Sequence, residues 1–232
     1  MRGVILAAGK GTRLGALGAK VPKALLPVGK KPCLEHIILG MREAGVDRLA
    51  VVIGHLGELI QARYQDGSSL GVQITYLQQD LARYGTGAAL LQAEQFVQGE
   101  PFFVSYGDIA IAPENYRAMA QLFNEHGTMV SSINWMDDPT HGAAVYLGAG
   151  GFVERLVEKP PPGTSQTNWN NGGVYIFLPQ VFHYLKNLRP SPRGEYELSA
   201  AVAQMAADGV PIKAHRITGF WRDIGAPLEG ES

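Results

Sequence analysis

The order of apolar and turn segments predicts an α/β protein. The expected architecture is three-layer, α/β/α, around a Rossmann-like, mostly parallel mixed sheet, with residues 1–232 forming a single domain. Three observations carry this. Short apolar runs of strand length alternate with stretches of helical period as far as residue 133, and such alternation builds a parallel sheet covered by helices. The first run, Val4-Ile5-Leu6-Ala7-Ala8, breaks into Gly9-Lys10-Gly11-Thr12-Arg13, a buried strand opening into a glycine-rich loop. Past Gly142, strands follow one another across turn residues with no helix between them, which makes the sheet mixed.

Taken in order, the elements justify themselves locally. Leu34, Ile37, Ile38 and Met41 recur at helical spacing, and Gly45 closes that helix. Leu49 to Ile53 is a short apolar strand, Leu56 to Tyr64 a second helix, and Val72 to Leu77 an alternating strand. Gly87 to Val97 has helical character, Phe102 to Ser105 is a buried strand, and a helix runs from Ala118 to His126 before the strand Met129 to Ile133. Crossovers of this β-α-β kind are right-handed. Ala143 to Leu147, Phe152 to Lys159 and Val174 to Leu178 are the later strands; Leu198 to Ala207 is the last helix and Ile212 to Ile217 the last strand. Pro160-Pro161-Pro162-Gly163-Thr164-Ser165 is a surface loop.

Composition narrows the class. With 46% apolar and 18% charged residues the chain is globular and not disordered. No apolar stretch approaches the ~20 residues that cross a bilayer, so no membrane partner is expected. The first apolar run gives way to Gly-Lys-Gly and does not form a signal peptide. The single Cys33 excludes an internal disulfide and suits a cytoplasmic location; preceding a helix without metal-ligand neighbours, it is expected to be structural.

Charge is distributed unevenly. Arg2, Lys10, Arg13, Lys20, Lys23, Lys30 and Lys31 fall in the first 34 residues with no Asp or Glu, and against a whole-chain formal charge of −1 they leave the remainder at −8. A basic segment set among Gly and Pro, on an otherwise acidic chain, points to a polyphosphate and away from nucleic acid. Neither familiar phosphate loop fits. A Walker loop requires Gly-Lys-Ser/Thr after four residues, and the nearest stretch is Gly15-Ala16-Leu17-Gly18-Ala19-Lys20. A dinucleotide fingerprint requires a small residue where Leu14 stands.

Leu6 to Leu14, followed by Pro22-Lys23-Ala24-Leu25-Leu26-Pro27-Val28, resembles the signature of the sugar-1-phosphate nucleotidylyltransferases, a Gly-x-Gly-Thr-Arg loop and then Pro-Lys-x-Leu-x-Pro-Val. Later blocks extend the resemblance as far as Asp223. It implies an enzyme that joins a nucleoside triphosphate to a sugar-1-phosphate, gives a nucleotide sugar and releases pyrophosphate. Chemistry of this kind aligns two polyanions and needs cations, not an activated side-chain nucleophile. Many family members carry a further C-terminal β-helix domain; none is expected here, and a homo-oligomer stays open.

The resemblance also assigns residues. Arg13 and Lys23 are its catalytic cations, and Ala8, Gly9, Gly11 and Thr12 its triphosphate loop. Lys10, Lys20, Lys30 and Lys31 lie outside motif positions and are expected to be solvated. Asp108, ending the apolar run Phe102 to Gly107, and Asp223, in Phe220-Trp221-Arg222-Asp223-Ile224-Gly225, match the two aspartates that hold Mg2+ as cofactor. Hard carboxylate oxygens beside phosphates suit that ion. Val157-Glu158-Lys159-Pro160 matches the sugar-phosphate element, Asn171-Gly172-Gly173-Val174-Tyr175 brings Asn171 to the sugar, and Gly142 offers its backbone there. His141 departs from the family's Tyr and receives no role.

Gln79, Gly85 and Thr86 are placed at the base, with Gln78 an equal candidate on register and Thr86 also a candidate N-cap. One amide can meet both the carbonyl and the N–H of a pyrimidine edge. With Arg193-Gly194-Glu195-Tyr196-Glu197-Leu198, this favours UTP or dTTP and a glucose-1-phosphate-like acceptor. Phe220 to Pro227 also resembles mannose- or heptose-1-phosphate guanylyltransferases, which remain the alternative within the enzyme class. A catalytically silent nucleotide-sugar sensor is the alternative outside it, opposed by paired aspartates that a sensor has no need of.

Overall fold

The computed structural model describes residues 1–11, 15, 17–80 and 82–225. The elements, in chain order, are β1 (Arg2–Ala7), β2 (Pro27–Val28), β3 (Lys31–Pro32), α1 (Cys33–Glu43), β4 (Arg48–Ile53), α2 (Gly57–Tyr64) and β5 (Gln73–Gln78). Then come α3 (Thr86–Leu91), α4 (Glu94–Val97), β6 (Phe102–Tyr106), β7 (Ile109–Ile111), α5 (Glu114–His126) and β8 (Met129–Trp135). The remainder are β9 (Ala143–Leu147), β10 (Val153–Glu158), β11 (Trp169–Phe177), α6 (Val181–Lys186), α7 (Leu198–Ala207), β12 (Ile212–Arg216) and β13 (Trp221–Asp223).

Among the described residues, nine strands form one mixed sheet. Parallel pairs join β5 to β4, β4 to β1 and β1 to β6; β11 then runs antiparallel to β6 and continues the sheet to β8 and to β9. β10 pairs antiparallel with β9, and β12 parallel with β8. The three layers follow from side-chain alternation along β1. Val4 and Leu6 enter one core with residues of α3, α4, α6 and α7, whereas Ile5 and Ala7 enter the other with residues of α1, α2 and α5. A strand covered on both faces must be apolar at every position, which is why its sequence is a continuous run.

Where the elements differ from expectation, a specific contact is responsible. The expected helix from Gly87 to Val97 divides into α3 and α4, because Gln92 and Ala93 donate to carbonyls only three residues back and tighten the chain between them. β11 starts at Trp169, five residues before the expected Val174, because a bulge at Gly172 and Gly173 lets pairing resume beyond it. Gly173 has φ +79°, and a Cβ there would run into the Ile109 side chain; one on Gly172 would lie 2.6 Å from Ser132 Oγ. Lys159 lies just past β10, with a left-handed φ of 43°. The short α6 and the small ribbon of β7 and β13 were not expected; β13 pairs antiparallel so that Asp223 lies opposite Ile109.

Candidate active site

The site lies at the carboxyl ends of the parallel strands, where open α/β sheets bind their ligands. β1 is followed by Ala8, which is buried, and Gly9, which is exposed. Gly54, after β4, comes so near that a Cβ on it would lie 2.8 Å from the Ala8 carbonyl oxygen. Gly11 has φ +63° and packs beside the Lys23 stem, a Cβ on it falling 3.5 Å from Lys23 Cγ. Thr12 and Arg13 lie outside the described residues.

Lys23 opens a single 3-10 turn, Lys23–Leu25, and its Nζ donates to Asp108 Oδ2 at 3.2 Å. Asp108 follows β6, and its backbone oxygen accepts from the Ile224 amide at 2.9 Å, which ties β13 to the end of β6. Asp223 Oδ1 accepts from the Gly225 amide at 2.6 Å. Gly225 shows how close the three groups are: a Cβ on it would sit 2.5 Å from Lys23 Nζ and 3.1 Å from Asp223 Oδ1. Both aspartates also bear on the Cys33 thiol, whose pKa is pushed up first by burial and then by their charges. Cys33 is thus the buried, protonated structural residue expected from the sequence. Two carboxylates beside a lysine are a donor set that fits Mg2+, which takes one or two protein carboxylates and completes its shell with phosphate and water. Among the described residues no cluster of three or more metal-ligating side chains occurs, so phosphate oxygens would have to supply the rest.

Gln79, expected at the base, lies just past β5 and is 4% exposed. Its Nε2 donates to Gly85 O at 3.1 Å, with Arg83 O at 3.5 Å. Two carbonyl neighbours fix the amide orientation by drawing its N–H groups, so a base at the expected place would meet Oε1. The expectation that one amide meets both atoms of a pyrimidine edge is corrected accordingly. Gly85 has φ +128°, and a Cβ there would collide with the Tyr196 backbone at 2.5 Å. Thr86 begins α3, and its Oγ1 accepts from the first amide of α7, Leu198 N, at 2.9 Å. The cap it makes is therefore for a helix distant in sequence, not for its own. Tyr84, which the sequence reading passed over, accepts the Lys10 amide at its hydroxyl (3.0 Å) and lies under the Lys10 ammonium, 5.0 Å from its ring centre.

The residues expected at the sugar phosphate come from β10, β11 and the turn before β9. Gly142 O accepts the Lys159 amide at 2.8 Å, which holds Lys159 in its left-handed turn. Such a conformation costs a non-glycine residue about 1–2 kcal/mol. Gly142 cannot carry a side chain, because a Cβ would overlap the Asn170 amide, which accepts Ala143 N at 3.0 Å. Glu158 lies 3.8 Å from Arg193, and Arg193 reaches Glu197 at 2.7 Å, so the Arg193–Leu198 segment borders this side. Asn171 Oδ1 accepts from Gly173 N at 3.2 Å and from the Tyr175 hydroxyl at 2.7 Å. Tyr106, Tyr175 and Gly225, besides Tyr84, are residues that sequence reasoning missed. The first two are aromatic positions inside strands, indistinguishable in sequence from core; Gly225 had a weak signal in the turn after Asp223.

Comparison with known proteins agrees with this geometry. The nucleotidyl transferase family model matches residues 2–228. The low-salt glycan biosynthesis nucleotidyltransferase Agl11 of Haloferax volcanii is 36% identical over 98% of this chain and 63% of its own length. The UTP–glucose-1-phosphate uridylyltransferase AglF of the same organism is 35% identical over 98% of this chain and 92% of its own. This chain spans 52–63% of the length of several other curated relatives, Agl11 among them. A Bacillus anthracis protein assigned as a glucose-1-phosphate thymidylyltransferase, solved with sucrose, superposes with a TM-score of 0.86 at 27% identity, covering 97% of this chain and 90% of that one. On motif order, family model and structural likeness, the chain belongs to the nucleotidyl transferase family, among the sugar-1-phosphate nucleotidylyltransferases.

Proposed function

We propose that the chain transfers a nucleoside monophosphate from UTP or dTTP to a glucose-1-phosphate-like sugar phosphate, with Mg2+, giving a nucleotide sugar and pyrophosphate. The observation that carries this is the meeting of Lys23, Asp108 and Asp223 around Gly225. An oxygen of the sugar's phosphate attacks the α-phosphorus, the bond to the β-phosphate bridging oxygen breaks, and pyrophosphate leaves with the electron pair. Lys23, aimed by Asp108, neutralises charge on the reacting phosphates, where a fixed cation acts without reorganisation. Lys159 holds the sugar's phosphate, and Glu158 accepts from a sugar hydroxyl. The magnesium ion, held by Asp108 and Asp223, would supply charge neutralisation and alignment of the phosphate oxygens.

AglF supports the glucose-1-phosphate acceptor by its name. Guanine presents to Gln79 Oε1 the same kind of N–H that uracil and thymine do, so the guanylyltransferase reading is the second one the geometry favours. The test is a pyrophosphate-release screen of the nucleoside triphosphates against a panel of sugar-1-phosphates. Release with UTP or dTTP and glucose-1-phosphate is expected, and no release with any pair would overturn the proposal.

A further inference from the structure

Asn171 is wired on one side only. Its Oδ1 takes two donors, the Gly173 amide at 3.2 Å and the Tyr175 hydroxyl at 2.7 Å. A backbone N–H can only donate, so the atom facing it must be the carbonyl oxygen and the amide cannot be turned over. The Tyr175 proton is thereby committed to Asn171, and the phenol oxygen is free to accept. Its neighbour is the Tyr106 hydroxyl, 3.4 Å away, which also stands against Thr86. Tyr175 is fully buried and Tyr106 partly so, and burial pushes Tyr106 up to about 12 and Tyr175 well above its ordinary value, so both keep their protons at neutral pH. Asn171 Nδ2, by contrast, makes no well-aligned hydrogen bond to a protein acceptor among the described residues, although the amide stands near the Tyr106 hydroxyl.

We propose that Tyr175, backed by Tyr106, is a positioning residue that locks the Asn171 amide with its carbonyl inward, so that this position offers the sugar hydrogen-bond donors only. The inference rests on the reading of Asn171 as a sugar contact. It gives the sugar site a polarity. Glu158, a carboxylate, only accepts, and therefore selects a hydroxyl acting as donor; Asn171 selects a hydroxyl oxygen acting as acceptor. A sugar bearing hydroxyls at both places satisfies both. Tyr106, Tyr175, Asn171 and Glu158 are drawn together here, since the Glu158 charge also raises both phenols.

The test uses Tyr175→Phe, which keeps the ring, and Tyr106→Phe, which removes the longer outer link together with the contact to Thr86. Tyr64→Phe, deleting a buried hydroxyl without a partner, is the control. Loss of one net hydrogen bond to the anchor should raise KM for the sugar phosphate about three- to tenfold in Tyr175→Phe and less in Tyr106→Phe, with KM for the nucleotide unchanged. With wild type, one deoxyfluoro-glucose-1-phosphate, the isomer altered at the hydroxyl Asn171 contacts, should outperform its deoxy counterpart, because fluorine still accepts weakly. That preference should shrink in Tyr175→Phe. The wiring is also read without substrate: the Asn171 Nδ2 proton resonances should shift in Tyr175→Phe and stay in place in Tyr64→Phe. Unmoved Asn171 resonances, or a KM change on the nucleotide in place of the sugar phosphate, would overturn the proposal. A wild-type protein inactive with every sugar phosphate, but showing the resonance shift, would sink the transferase reading and leave the wiring standing.

Discussion

Lys23 and Lys159 carry the same charge into different surroundings. Lys23 is half-buried and held by Asp108, whereas Lys159 is exposed on a strained turn past β10. Lys23→Ala should therefore lower kcat by on the order of 100-fold with little change in either KM, as loss of a preorganised charge does. Lys159→Ala should raise KM for the sugar phosphate roughly 10- to 100-fold, the worth of a charge-assisted hydrogen bond. Steady-state kinetics with each substrate varied separates the two, and a weakened nucleotide KM in Lys159→Ala would reverse the assignment. Gly225→Ala is the finest probe of the cluster. The added methyl meets the mobile end of Lys23 before any backbone, so kcat should fall at least about tenfold while Tm stays within 1–2 °C of wild type.

At the scale of elements, the question is what carries β13, and with it Asp223, to the end of β6. The answer is Asn115, fully buried in the first turn of α5. Its Nδ2 donates to Ala112 O and Thr218 O, both at 2.9 Å; its Oδ1 accepts from Thr218 N and from His215 Nε2, both at 2.9 Å. The turn between β12 and β13 is thus pinned to a helix 103 residues away. Asn115→Ala should cost about 2–3 kcal/mol, since it strips partners from buried groups. For a chain of this size that is a fall of roughly 5–10 °C in Tm by calorimetry. His215 adds a pH dependence. Burial lowers its pKa below the ordinary 6.5, so the unfolded chain binds the proton more readily than the folded one. The stability it contributes is complete above the unfolded pKa and is lost as pH falls through that value towards the folded one. Tm should drop between pH 7.5 and 5, and less steeply in His215→Gln; parallel slopes would exclude His215 as the source.

Over the whole molecule, the proposed function would place the nucleotide at the ends of β1, β5 and β6 and the sugar phosphate at those of β9, β10 and β11. With Gln79 offering only Oε1, the nucleotide side should accept UTP, dTTP and GTP, whose bases carry an N–H at the paired edge, over CTP and ATP, whose bases carry a lone pair there. An unpaired buried acceptor costs ~1–3 kcal/mol, so the ratio in kcat/KM should be on the order of ten- to a hundredfold. Comparable kcat/KM for CTP and UTP would show that Gln79 does not read the base. Among the described residues no helix is long and apolar enough to cross a membrane.

The amino-acid sequence by itself determined what is decided over a few neighbouring residues. The doubly buried strand β1, the apolar face of α1 and the glycine-rich loop were legible there. Lys23, Asp108, Glu158, Lys159 and Asp223 could be singled out there as candidates, because the blocks that carry the family resemblance are each local in sequence. Tertiary structure alone decided what depends on residues far apart in the chain. Thr86 caps a helix 112 positions away, and Lys23 finds Asp108 across 85. The bulge in β11 exists because Gly172 packs against Ser132 and Gly173 against Ile109. The Gln79 amide turns one way because two carbonyls of a folded loop surround it. A hydrogen bond's direction is set by whichever donors and acceptors the fold brings within about 3 Å, and no local pattern contains that information.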